Sequence, residues 1–328
     1  MRINLNLKLA ILIAVVILSG ALYLFLGLNF AIIHYQLPAR MKKLILMFIV
    51  GGAIAASVVI FQAITTNRLL TPSIMGLDAV YMFIKVLLVF IFGAQSLFNT
   101  NIYLNFGITV LAMISFALIL FQGIFRLKNV SVYFILLVGI IMGTFFRSIT
   151  SFLELIIDPE DFLAVQSAMF ANFNAANPRL MTLSAIILLI LIGLTFYLIP
   201  YLDVLLLGRA QAINLGVPYQ WMTRTLLIMV AVLVSLSTAL VGPIAFLGLM
   251  TVNIAHELMR TYEHKYIFPA TLCLSWISLF VAQSVMEHIF VATTQVSIVI
   301  DLIGGLYFIY LLVKRRNTAV SYTHLTLP

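Results

Sequence analysis

The sequence predicts an all-α, polytopic membrane protein of about ten transmembrane helices, and three observations predict it. Of 328 residues, 64% are hydrophobic and only 9% charged, whereas soluble globular chains carry about 25% charged residues to cover a wetted surface. Apolar runs recur at about the 20 residues that a helix needs to cross a bilayer core. The short breaks between them hold Gly, Pro, Asn or charge, as membrane–water boundaries do. Alternation of apolar and polar residues with a polar lumen face is absent, which excludes an outer-membrane barrel.

The expected spans are residues 7–29, 44–63, 76–94, 102–122, 131–150, 179–199, 222–241, 243–259, 268–288 and 296–313. The first apolar run, 9–30, is followed by no small-residue cleavage site, so it is expected to be a retained span rather than a removed signal. Gly51-Gly52, Gly242-Pro243, Gly248 and Gly304-Gly305 lie in or beside spans, where small residues let helix backbones approach closely. The longest break between spans, 151–178, holds Glu154, Asp158, Glu160 and Asp161. A short helix at the outer surface is expected there.

Orientation follows from the basic residues. With ten spans, twelve Lys and Arg fall on the side of both termini and five on the other, with Lys85 inside a span. Basic loops favour the cytoplasm, so both termini and the loop around Arg209 are expected inside. The net charge of +8 is explained by that bias, and no nucleic-acid partner is expected. Cys273 is the only cysteine, so no intrachain disulfide can form. A single domain, 1–316, is expected. Residues 317–328 are expected to be an unstructured tail, of which 321–328 resembles translated sequencing-adapter sequence.

The polar island 203–216 stands between two apolar runs. Asp203 opens it, and Gly216 and Pro218 supply a helix stop. No phosphate-cradling Gly-x-x-x-x-Gly-Lys-Ser/Thr loop, Gly-x-Ser-x-Gly elbow or His-Glu-x-x-His pair occurs. If transport is ATP-driven, its motor is therefore another chain, and the island is a lever on which such a chain could act. His256-Glu257 and Glu263-His264 bring metal ligands to mind, but a spacing of eight across a membrane boundary favours interfacial solvation, and no metal site is expected. Lys85 and Asp301 are charges inside spans, which default to functional candidates. Either they pair across the bundle, or they form a relay that would make the chain an ion-gradient-driven secondary transporter. A membrane scaffold without transport is a third class.

Four stretches carry a family resemblance. They are Leu37-Pro38-Ala39-Arg40; Gln62 with Asn67-Arg68-Leu69-Leu70-Thr71-Pro72-Ser73-Ile74-Met75-Gly76; Gly208-Arg209-Ala210-Gln211-Ala212 with Leu215-Gly216; and Gly242-Pro243-Ile244-Ala245-Phe246-Leu247-Gly248-Leu249. In this order on ten spans, they resemble the FecCD-type permease subunits of ATP-binding-cassette importers for iron-siderophores, haem and cobalamin. The form of the second stretch is similar to a branch that handles catecholate siderophores beside a second, different permease. Val252, Asn253 and His256 stand where most of the family has Pro-His and then Arg.

The resemblance implies a type II importer permease fold, working without a cofactor of its own. It implies a second permease in a heterodimer or, less favoured, a homodimer, two ATPases that use ATP and Mg, an extracytoplasmic binding protein, and a ferric siderophore as cargo. It places the chain in a bacterial cytoplasmic membrane. It assigns ATPase coupling to Asp203, Gly208, Arg209, Ala210, Ala212, Leu215 and Gly216. It assigns binding-protein docking to Arg40, with Lys42 and Lys43 assisting, and it points to Gln62, Asn67 and Ser73 for the path.

Overall fold

The computed structural model describes residues 4–28, 32–125, 132–174, 177–289 and 295–323. Within them the chain forms thirteen α-helices: α1 (Leu5–Phe25), α2 (Ile33–Thr65), α3 (Leu77–Phe92), α4 (Leu97–Thr100), α5 (Ile102–Phe125), α6 (Val132–Glu154), α7 (Pro159–Ala168), α8 (Pro178–Leu205), α9 (Arg209–Asn214), α10 (Tyr219–Val241), α11 (Leu247–Met259), α12 (His264–His288) and α13 (Val296–Thr323). Each of the ten expected spans has its helix. Seven of these are long and apolar enough to cross a membrane. α3, with 16 residues, and α11, with 13, are shorter, and in α13 the apolar part is Val296–Leu311. α13 continues through Thr323, a correction to the expected unstructured tail; residues 324–328 lie outside the described residues, as do Arg126 and Lys128.

α2 is the axis of the bundle. Its apolar window is 89% buried, against 22% for α5 and for α8, so α2 is surrounded by protein and those two helices face outward. Helices in lipid gain nothing by hiding apolar surface from one another, so close backbone approach and interhelical hydrogen bonds must hold the bundle. α2 supplies both. A Cβ on Gly51 would stand 2.9 Å from Leu279. Ser275 Oγ donates to the Gly51 carbonyl at 2.9 Å, and Trp276 Nε1 donates to the Phe48 carbonyl at 3.0 Å. On α11, a Cβ on Gly248 would be 2.4 Å from Val58.

The bundle has two ends. At one, Lys8 Nζ donates to the Leu258 carbonyl at 2.6 Å, and the α8–α9–α10 and α11–α12 connections lie there. At the other, α7, found within 151–178 as expected, packs against α3. There Asn172 N donates to the Val241 carbonyl and Ala171 N to Ser297 Oγ.

α2 and α8 also overrun their expected spans. α2 has 33 residues, about 50 Å at 1.5 Å per residue, against a hydrocarbon core of about 30 Å. Its first turns absorb Leu37–Arg40, with Pro38 inside the helix. α8 likewise runs through Pro200 to Leu205.

Candidate coupling surface and transport path

The island is not one helix. Asp203 belongs to the last turn of α8, and α9 covers only Arg209–Asn214. Gly208 turns the chain between them at φ +90° and ψ 168°, a region essentially open to glycine alone. Gly216 stops α9 at φ +83°. Val217 N reaches the Ala212 carbonyl and Gly216 N the Ile213 carbonyl, each at 3.0 Å, the paired bonds of a glycine-terminated helix.

α9 presents one face outward. Ala210 and Leu215 are exposed, as are Ile213, Leu207 and Trp221. Ala212 is fully buried, so it anchors α9 to the bundle; its expected place on the ATPase-facing surface is corrected. The Arg209 guanidinium lies 5.9 Å from the Tyr219 ring centroid, half-buried at the edge of the apolar face. Asp203 turns into the protein as well: its Oδ1 accepts from His264 N at 2.8 Å and meets His264 Nδ1 at 2.7 Å.

The stretch after α2 re-enters the bundle. α2 ends at Thr66, a β-branched residue at φ +50°. The chain returns in extended form through Thr71 to a one-turn 3-10 helix, Pro72–Met75. Gly76 then crosses α6 backbone to backbone: a Cβ there would lie 2.7 Å from Gly143 Cα, and one on Gly139 would lie 2.9 Å from Met75 Cα. Irregular backbone at membrane depth must be buried in protein or line a cavity, because lipid offers no hydrogen bonds, and this stretch does both. Gln62 Nε2 donates to the Arg68 carbonyl at 2.8 Å, Asn253 Nδ2 donates to the same carbonyl at 3.0 Å, and Asn67 Oδ1 accepts from Leu69 N at 2.9 Å.

Two of the expected path residues meet here. Gln62 and Asn67 line a cavity of about 200 Å³ with Arg68, His256, Tyr262 and His264, and Gln62 Oε1 has no protein partner. Ser73 is elsewhere, in a polar niche of about 20 Å³ with Ser57, Thr71, Asp78, Ser237 and Thr238, room for about one water. His256, Tyr262 and His264 were not singled out for the path. The positive φ of Arg260, +52°, turns the chain between α11 and α12 and brings them round the cavity, a turn without a glycine to announce it.

At the α7 end, Arg40 departs from its expected role. It is 7% exposed, too buried to reach a docking protein. Its Nη1 donates to the carbonyls of Tyr23, Leu24 and Leu26 at 3.3, 3.0 and 2.6 Å. These belong to the last turn of α1, whose carbonyls have no partner within the helix. Glu287 completes the cluster, 3.9 Å from Arg40 Nε and 2.9 Å from Lys43 Nζ, so this glutamate is held in a clamp rather than turned to water. Lys42 remains exposed.

Lys85 and Asp301 do not pair. Lys85 Nζ binds Asn105 Oδ1 and lies 5.3 Å from the Tyr81 ring centroid. Asp301 Oδ1 accepts from Phe246 N at 3.2 Å. Phe246 is the N-cap of α11 and makes no side-chain cap bond, so Asp301 caps α11 from outside.

Petrobactin import system permease protein YclO of Bacillus subtilis is 45% identical over 313 residues, covering 95% of this chain and 99% of its own. Petrobactin import system permease protein FatC of Bacillus anthracis is 34% identical, over 84% of this chain and 78% of its own. A solved structure described as an inward-facing conformation of a metal-chelate type ABC transporter superposes with a TM-score of 0.83 over 95% of this chain and 100% of its own, at 22% identity, a likeness of fold. The pattern of the FecCD transport family matches residues 9–314. With its bundle of apolar helices and no phosphate-binding loop of its own, the chain belongs to the FecCD transport family and is the membrane-spanning permease subunit of an ATP-binding-cassette importer.

Proposed function

We propose that the chain imports a ferric siderophore of the catecholate type across the bacterial cytoplasmic membrane. Its identity to a petrobactin import permease makes ferric petrobactin the first cargo to test. Two permeases, favoured as a heterodimer, enclose the path above two ATPases that bind the ATP and Mg. A binding protein delivers the chelate at the α7 end, where the exposed Lys42 is the docking cation and Lys43 assists from beside Glu287. Both termini and α9 face the cytoplasm. Gln62 and Asn67, at the cavity, and Ser73, deeper along the same stretch, mark the path.

One observation carries this reading: the exposed Leu207, Ile213, Leu215 and Trp221 around α9. They form a small apolar surface on a short capped helix, suited to a groove on an ATPase. ATP binding moves α9, and the permease pair exchanges one arrangement for another; the iron undergoes no chemistry. The test is uptake of radioactive ferric petrobactin into proteoliposomes that hold the co-purified importer and its binding protein. Uptake should need ATP inside, and Arg209→Glu with Leu215→Asp should abolish it while membrane insertion persists. Normal uptake by that double variant refutes the coupling assignment, and uptake driven by a pH gradient without ATP refutes the ATP-driven reading.

A further inference from the structure

We infer that Asp203 and His264 form a latch that makes the coupling helix and α12 move together, with His264 a positioning residue for transport. This rests on the coupling reading of α9.

α12 begins at His264, and its N-cap Glu263 makes no side-chain cap bond. The first amides of a helix need acceptors, and a negative charge there is favoured by the helix dipole. Asp203 supplies both from another helix, accepting from the backbone N and meeting Nδ1 of the same residue through one oxygen. The His264 side chain is 4% exposed. The Asp203 side chain is 37% exposed, so the pair is buried on the His264 side only; its bonds to a carboxylate have a defined geometry and are strong relative to neutral bonds.

The position matters more than the strength. Asp203 lies in the last turn of α8, and the chain then passes through Leu206, Leu207 and Gly208 directly into α9. The two helices touch also at Phe196 and Phe268, with ring centroids 4.9 Å apart, so the latch closes the open end of an existing contact. From His264, α12 runs to Ser275 and Trp276, which bond to α2 backbone at Gly51 and Phe48. A push on α9 thus has a route to the axis of the bundle along α12 and through named bonds. His264 and Leu206 also line the cavity that holds Gln62, Asn67 and Arg68, so displacement of the latch changes the walls of that cavity. Other ties of α9, such as Ala212 and the Arg209–Tyr219 contact, hold it to the bundle and to α10. Among the described bonds, the Asp203–His264 pair is the one that joins the α8–α9 turn to α12.

The test is cargo moved per ATP hydrolysed, measured in proteoliposomes containing the whole importer. Asp203→Ala and His264→Leu should each lower this ratio about tenfold while ATP hydrolysis continues. The double variant should be no worse than Asp203→Ala alone, since that change already removes both bonds, whereas His264→Leu removes only the one made by Nδ1. His264→Asn, whose amide nitrogen can take the place of Nδ1, should stay within about twofold of the unmodified protein. Multiplying losses in the double variant, an unchanged ratio in the single ones, or His264→Asn as poor as His264→Leu would each overturn the latch. Should His264→Leu fail to insert, Asp203→Ala against His264→Asn gives the same comparison, the first removing both bonds and the second keeping them. If the latch variants couple normally while the Arg209/Leu215 variant does not, the latch falls and the coupling helix stands. If all couple normally, both fall.

Discussion

Replacing Asp301 separates a helix cap from a proton relay. The carboxylate accepts from Phe246 N at 3.2 Å. Gly304, one turn on, is pressed against the same residue, since a Cβ there would lie 2.5 Å from Phe246 Cβ. Asp301→Ala removes the acceptor from a site that cannot admit water freely. An unmet buried amide costs about 1–3 kcal/mol, and a lost charge at a helix N-terminus adds a few tenths to 1 kcal/mol. A loss of about 2 kcal/mol is expected, read as a fall of roughly 3–6 °C in the thermal midpoint of the purified importer. Asp301→Asn keeps an oxygen for the amide and loses only the charge, so about 1 kcal/mol or less is expected, with ATP-driven uptake near normal. A relay requires a group that takes up and releases a proton, and asparagine cannot. If Asp301→Asn abolishes uptake while the thermal midpoint holds, the cap is not its main role and the reasoning fails.

Three further outcomes are expected. Glu287→Ala should cost about 2 kcal/mol, because it leaves the buried Arg40 with only its carbonyl partners; breaking a fully buried pair costs about 3–5 kcal/mol, and the Glu287 side chain is 15% exposed. Denaturant titration measures this, and an unchanged midpoint refutes the clamp. Lys42→Glu should weaken binding-protein affinity without touching stability, whereas Arg40→Glu should destabilise the chain first; surface-bound affinity measurements and unfolding of both variants distinguish the two. Asn253→Leu should cost about 1–2 kcal/mol and loosen the re-entrant stretch, since the Arg68 carbonyl then keeps only Gln62 as a side-chain donor; faster hydrogen exchange over 67–71 is the readout, and unaltered exchange there counts against it.

Hydropathy made the helices legible because each apolar run is a response to the bilayer, and the bilayer has one thickness. It misjudged their ends for the same reason. α2 continues for turns rich in Gln36, Arg40, Lys42 and Lys43, where the helix persists after the apolar run has stopped. The expected span ends at 199, yet α8 passes through Pro200 to Leu205. Arg40 is legible as a charge beside a span, but its partners are backbone carbonyls of α1, and backbone has no sequence signature. The depth of Pro72–Met75 is set by Gly139 and Gly143, far along the chain. The path candidates Gln62 and Asn67 were found through a motif, while their neighbours His256, Tyr262 and His264 reach the cavity only because the chain turns at Arg260.

Three aspartates in this apolar chain share a role that the sequence conceals, each accepting from a backbone amide of another segment. Asp301 caps α11 from α13, Asp203 caps α12 from α8, and Asp161 of α7 accepts from Ala94 N beyond the end of α3 at 3.3 Å. Short or interrupted helices expose amides at depths where water is scarce, and a neighbour's carboxylate meets that need. The same chemistry then has different consequences by position. The bond from Asp301 ties α13 to α11 at the end away from α9, so its loss should register in stability alone. The bond from Asp203 stands one turn before the exposed apolar surface proposed for coupling, so its loss should register in the work obtained from ATP. Two carboxylates with like partners and unlike assays make the distinction measurable within one protein.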